Sequence, residues 1–114
     1  MSRLSYGQVE LQLGDETLIL KPTLAALEKI DDEFKVGGLR EAINKVASMK
    51  LDAVAFIVCA GAALDQKAAR EIKEKIFHAG LLNVVGPVGD YLVALMNPTG
   101  RTAEEASEGA EGKR

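Results

Sequence analysis

From Ala53 to Leu64 the chain runs twelve residues without a polar side chain other than the thiol of Cys59: Ala-Val-Ala-Phe-Ile-Val-Cys-Ala-Gly-Ala-Ala-Leu. A helix that is apolar all round its circumference must be packed on several sides, and its Ala and Gly positions let neighbouring backbones come close. At ~1.5 Å per residue the segment reaches ~18 Å, well short of a ~30 Å hydrocarbon core. It reads as the central helix of a folded domain, with no role in a membrane.

The remaining chain supplies what must surround it. Val9, Leu11 and Leu13 alternate with Gln8, Glu10 and Gln12, the period of a strand with one buried face. Gly14-Asp15 offers a turn, and Thr17-Leu18-Ile19-Leu20 is rich in β-favouring residues, so 8–20 reads as an antiparallel hairpin. Two strands alone are marginal in water, and the ribbon must rest on helices or on another chain. Pro22 ends the second strand and Thr23 is placed to cap a helix over 23–34, with Leu27, Ile30 and Phe34 on one face. Gly37-Gly38 breaks it, and a second helix follows over 38–49.

Asp52 is placed to cap the central helix, read as 52–64, and Asp65 to open a fourth over 66–79 that ends at Gly80. Pro87 lacks an N–H and suits a first helical turn, so the last helix is read as 84–96. Residues 1–7 are expected to be flexible. Residues 97–114, Glu-rich and free of aromatics, are expected to be disordered. The expected fold is one α+β domain over 8–96, about five helices with a small N-terminal hairpin. Its core is expected at Leu27, Ile30, Ile43, Val46, Val54, Ile57, Val58, Ile72, Ile76, Leu92 and Leu95.

Charge and residue counts exclude several functions. With 14 basic against 17 acidic side chains among 114 residues, the chain has no electrostatic footprint for a phosphate backbone, so no nucleic-acid partner is expected. The start of the chain lacks a long apolar run of the export type, which points to the cytoplasm. One Cys and one His cannot build a structural zinc site. Cys59, in the most apolar segment, reads as a small hydrophobe rather than a nucleophile. His78 reads as a helix-end residue. Asp31-Asp32-Glu33 lacks the spacing of a calcium loop, and neither Gly37-Gly38 nor Gly86-Pro87-Val88-Gly89 matches a phosphate-binding or dinucleotide fingerprint. No enzymatic activity, catalytic residue, cofactor or metal is expected.

What stands out is aliphatic surplus. Ala occurs 16 times and the aromatic fraction is only 4%. Counting Gly, apolar residues make up about 55% of the chain, somewhat above the usual ~45–50%. The last helix carries Val84, Val85, Val88, Tyr91, Leu92, Val93, Leu95 and Met96, more than one face needs, with Leu81 and Leu82 just ahead. A two-sided core helix accounts for this pattern, and so does a partner-binding surface. The residues marked for a partner are Leu81, Leu82, Val84, Val85, Tyr91 and Met96.

The order of elements resembles a known family. A strand ending in Leu18-Ile19-Leu20-Lys21-Pro22-Thr23 and running into Leu24-Ala25-Ala26-Leu27-Glu28-Lys29-Ile30 is similar to the tail-protein, or tail assembly chaperone, family of tailed phages and gene transfer agents. Ile57-Val58-Cys59-Ala60-Gly61-Ala62-Ala63-Leu64 resembles its apolar helix, and His78-Ala79-Gly80-Leu81 resembles the Gly-Leu turn before its last helix. The likeness covers residues 8–96. Here the first helix reads Glu28-Lys29-Ile30-Asp31, with an acidic residue ahead of the aliphatic one, so no special role passes to Glu28.

The resemblance implies a chaperone that coats the long helical tape-measure protein until tail-tube subunits polymerise around it. The tail-tube protein and a second copy of the chain are further partners it admits, and some family members have a longer, frameshifted form. A structural component retained in the particle, or a small non-enzymatic adaptor, are the other readings the chain allows.

Overall fold

The computed structural model describes residues 7–98, and the expected flexible start and disordered tail fall almost wholly outside them. Two strands, β1 (Val9–Leu13) and β2 (Glu16–Leu20), precede five α-helices: α1 (Leu24–Phe34), α2 (Gly38–Ala47), α3 (Leu51–Gly61), α4 (Ala69–Ala79) and α5 (Leu81–Met96). A single 3-10 turn, Gln66–Ala68, leads into α4. The fold is α+β and mainly helical, as the sequence pattern requires.

The strands pair antiparallel, with Val9 opposite Leu20 and Leu13 opposite Glu16. Leu11, Leu13 and Leu20 are buried while Glu10 and Gln12 are exposed, so the period-2 pattern becomes an inner and an outer face. The inner face rests on α3, α4 and α5, which supply the support that a two-stranded ribbon lacks on its own. At the edge of the inner face, where Glu16 lies opposite Leu13, Lys75 of α4 pairs with Glu16, and also with Glu71 at 3.3 Å. Hydrogen bonding to Glu16 leads the effects that hold the Lys75 ammonium above the usual lysine range.

Thr23 caps α1 as expected, its hydroxyl accepting the Ala26 N–H at 3.1 Å. The start of α3 differs from expectation. The helix begins at Leu51, and Asp52 lies in its first turn instead of capping it. There the carboxylate faces Lys73 of α4 at 2.7 Å, and that hydrogen bond with the lysine's charge lowers its pKa. An acidic group in a first turn also complements the helix dipole.

The ends of α2 and α3 fall short of the expected 49 and 64, for one shared reason. Met49 (φ 58°) and Ala63 (φ 60°) adopt left-handed backbone, letting Lys50 N–H reach the Lys45 carbonyl at 3.0 Å and Leu64 N–H reach that of Cys59 at 2.8 Å. These six-to-one closures end helices, usually with Gly at the left-handed position, and neither Met nor Ala advertises one. Gly80 (φ 98°) ends α4 as expected and at once begins α5, which leaves at a bend of 118°.

α5 starts three residues earlier than expected, leaving Pro87 at its seventh position rather than in the first turn. Pro87 forgoes a bond to the Asn83 carbonyl, ordinarily costing about 3 kcal/mol. Burial of Val84, with Leu81 and Val85 packed against the core, holds the extra turn in place. Asn83 also donates from its amide Nδ2 to the Ala79 carbonyl at 2.9 Å, stitching the new turn to the end of α4.

A single core links all seven main elements, and α3 lies within it, eight of its eleven residues being buried. Phe34 and Phe56 meet edge to face at 6.2 Å, locking α1 against α3. Of the expected core residues, Leu27 and Ile43 are only partly buried. Ala26 and Ala42 take the interior positions beside them, because small side chains admit the closer helix approach.

Tyr91 joins the far parts of the chain. It is fully buried, and its hydroxyl donates to the Lys21 carbonyl at 2.7 Å where β2 ends. The Lys21 N–H in turn donates to the Gly61 carbonyl at 2.9 Å. A Cβ on Gly61 would lie 2.9 Å from the Tyr91 ring and 3.1 Å from the Leu20 Cβ, so only glycine lets α3 pass here.

Two expectations test this arrangement in denaturant melts. Ile57→Ala, at the centre of α3, should cost about 2–5 kcal/mol. Tyr91→Phe should cost about 1–2 kcal/mol at neutral pH by leaving the Lys21 carbonyl without its donor. Burial raises the Tyr91 phenol well above its ordinary value of 10.0. The native chain therefore holds this proton where the unfolded chain releases it, and the associated stability is complete below pH ~10 and lost above it. The Phe variant should show a shallower alkaline decline.

Candidate functional site

The residues with potential chemistry do not converge. Cys59 is fully buried in α3 and burial raises its thiol pKa, which suppresses the thiolate. His78 lies exposed in the last turn of α4, its ring edge-on to Phe77 at 5.3 Å. Among the described residues no three His, Cys, Asp or Glu side chains come together in a way that could hold a metal ion. A cleft of about 500 Å³ opens between α1, α2 and α3, with Phe34, Leu51 and Phe56 on its walls and Lys45, Lys50 and Asp52 at its rim. Two of these charges are already engaged, Lys45 with Glu41 at 3.6 Å and Asp52 with Lys73.

The aliphatic surplus instead resolves into two faces of one helix. α5 packs on β1, α2, α3 and α4 through Val84, Val88, Tyr91, Leu92 and Leu95, all buried. Opposite them, Leu82, Gly86, Gly89, Val93 and Met96 recur at alternating steps of four and three residues, which is a continuous stripe on a helix. Leu82 is 75% exposed, Val93 58% and Met96 55%. A Cβ built on Gly86 or Gly89 would meet nothing within 4 Å outside its own helix.

The stripe is also nearly uncharged. α5 carries one charged side chain in sixteen residues, Asp90, whereas the eleven-residue helices α1 and α4 each carry five. The small number of charges on α3 is explained by its burial. That explanation fails for α5, one side of which faces solvent. Other exposed aliphatic and aromatic side chains, Leu24, Val36, Met49 and Phe77, lie on different elements.

The six residues marked for a partner therefore separate. Leu82 and Met96 lie on the open stripe. Leu81 and Val85 are partly buried against the core at its margin. Val84 and Tyr91 belong to the interior, Val84 being 1% exposed and Tyr91 fully enclosed, so both are corrected from surface to core. Gly86, Gly89 and Val93 complete the stripe and lie outside those six. The signal that finds them is the second four-three repeat, running out of phase with Val84, Val88, Tyr91 and Leu95.

The fold and surface together define a small, mainly helical α+β domain with one helix face left uncovered among the described residues. In comparisons with protein-family models, curated proteins and solved structures, the chain matches none. No single helix among the described residues is long and apolar enough to cross a membrane.

The bare face makes a stability expectation of its own. Leu82→Lys and Val93→Lys should each shift the unfolding free energy by no more than about 0.5 kcal/mol, as for ordinary surface positions. Val84→Lys, which buries an unpaired charge, should unfold the domain; circular dichroism melts distinguish the two groups.

Proposed function

We propose that the protein is a non-enzymatic tail assembly chaperone of a phage, prophage or gene transfer agent, acting in the bacterial cytoplasm. It binds the tape-measure protein through the open face of α5 while the tail is built. The observation that carries this reading is the sixteen-residue α5, apolar on two opposite sides and bearing only Asp90 as a charge.

A face of this kind suits a long helical client. An amphipathic helix laid along Leu82, Val93 and Met96 buries its apolar side without a demand for an exact sequence, and the two glycines let it come near. One such contact is weak, but many copies along one tape measure add through avidity, and each leaves readily when the tail-tube protein arrives. The order of elements, from the strand ending in Lys21-Pro22-Thr23 to the turn at Gly80-Leu81, supports the same family reading.

A second reading, a structural component retained in the particle, draws on the hairpin. Among the described residues each strand of the two-stranded sheet has one edge without a strand partner, and such edges accept another chain. Mass spectrometry of purified particles separates the readings, since a component is present at high copy and a chaperone is missing.

Co-expression with a tape-measure protein tests the proposal. The wild-type chain should hold that protein in solution and co-purify with it, and the folded Leu82→Lys/Val93→Lys double variant should lose at least about tenfold in recovered complex. Unchanged solubility and no complex would refute it.

A further inference from the structure

We propose that the open face of α5 also binds a second copy of this chain, forming a reversible antiparallel α5–α5 pair whose two-fold axis passes beside Gly89. The stripe is complementary to its own reverse. Leu82 lies seven residues before Gly89 and Met96 seven after it, so reversal sets Leu82 of one copy against Met96 of the other. Gly86, three before, then lies diagonally across from Val93, four after, and Gly89 meets its own counterpart. Large side chains thus face large ones at the ends, and each Val93 enters the space beside a glycine whose Cβ position is open.

A two-fold contact of this kind needs a self-complementary patch, and the antiparallel direction is the one that sets Val93 beside Gly86. In a parallel pair Gly86 and Gly89 would face glycines and leave a gap at the centre, with Val93 against Val93 beyond it. Residues 99–114 contain no Val, Leu, Ile, Met, Phe or Tyr, so that segment has no large apolar side chain to lay over the stripe. The single charge, Asp90, lies one residue past the axis, so the two copies place like charges near each other and salt should strengthen the pair.

The contact is a helix pair ~24 Å long, and it falls short of the ~1,200 Å² that stable dimers bury. Association is therefore concentration-dependent and exchangeable. The proposal shares its face with the chaperone reading but does not require the tape measure, and its test uses the chain alone.

Sedimentation of the full chain over a wide concentration range should show a monomer–dimer equilibrium. Gly89→Leu has room within the monomer and replaces glycine in a helix, so its melting temperature should rise while the midpoint concentration for dimerisation increases at least about tenfold. Mixing Leu82→Cys with Met96→Cys chains should give a disulfide-linked pair on oxidation, with little from either variant alone; Cys59, being buried, takes no part. A monomer at every concentration, a Gly89→Leu chain that dimerises like wild type, or efficient Leu82→Cys self-crosslinking would each overturn the proposal.

Discussion

The junction of Tyr91, Lys21 and Gly61 is the constraint on which the rest of this molecule depends. A two-stranded ribbon does not hold itself, and here its outgoing end is bonded twice, by the Tyr91 hydroxyl to the Lys21 carbonyl and by the Lys21 N–H to the Gly61 carbonyl. The ribbon, the end of the central helix and the last helix therefore meet at one point, though Lys21 and Tyr91 are separated by 70 positions in the chain. The missing side chain of Gly61 makes that meeting possible. Once α5 is seated through Tyr91, its angular position is set, and so is the side it turns away from the core.

That angular position gives the surplus of aliphatic residues two separate meanings. On the inner side, Val84, Val88, Leu92 and Leu95 complete a core that α3 alone could not close. On the outer side, the same residue types lie against water, at a cost that ordinary surface helices such as α1 and α4 avoid with charged residues. A small domain tolerates this only over a limited area. The outer stripe remains limited because two of its five positions are glycine.

Much of this arrangement is legible in the sequence where a local cause acts alone. The alternation from Val9 to Leu13 gave its strand, the Thr23 hydroxyl its cap, and Gly80 its helix end, because each depends on near neighbours. The misreadings occur where distant residues decide. Asp52 resembles a cap until Lys73 is brought opposite it, Pro87 resembles a first-turn residue until burial of Val84 extends the helix behind it, and Met49 and Ala63 do not signal a left-handed turn at all. The sequence pattern offers Tyr91 to a surface because no periodicity reports that a backbone carbonyl 70 residues earlier awaits its hydroxyl. The stripe itself was hidden by the glycines, which contribute to its shape and nothing to its hydrophobicity.

Those glycines, with Pro87 between them, also place the weakest helix-forming residues of the chain in the middle of α5. The intrinsic tendency of this stretch is to come apart, and only packing by its neighbours keeps it wound. Solvent should therefore exchange with the amides around Gly89 through brief local openings long before α3 yields its own. α5 is thus held like a spring under its neighbours' load, and any ligand laid along it would gain part of its hold by quieting that motion.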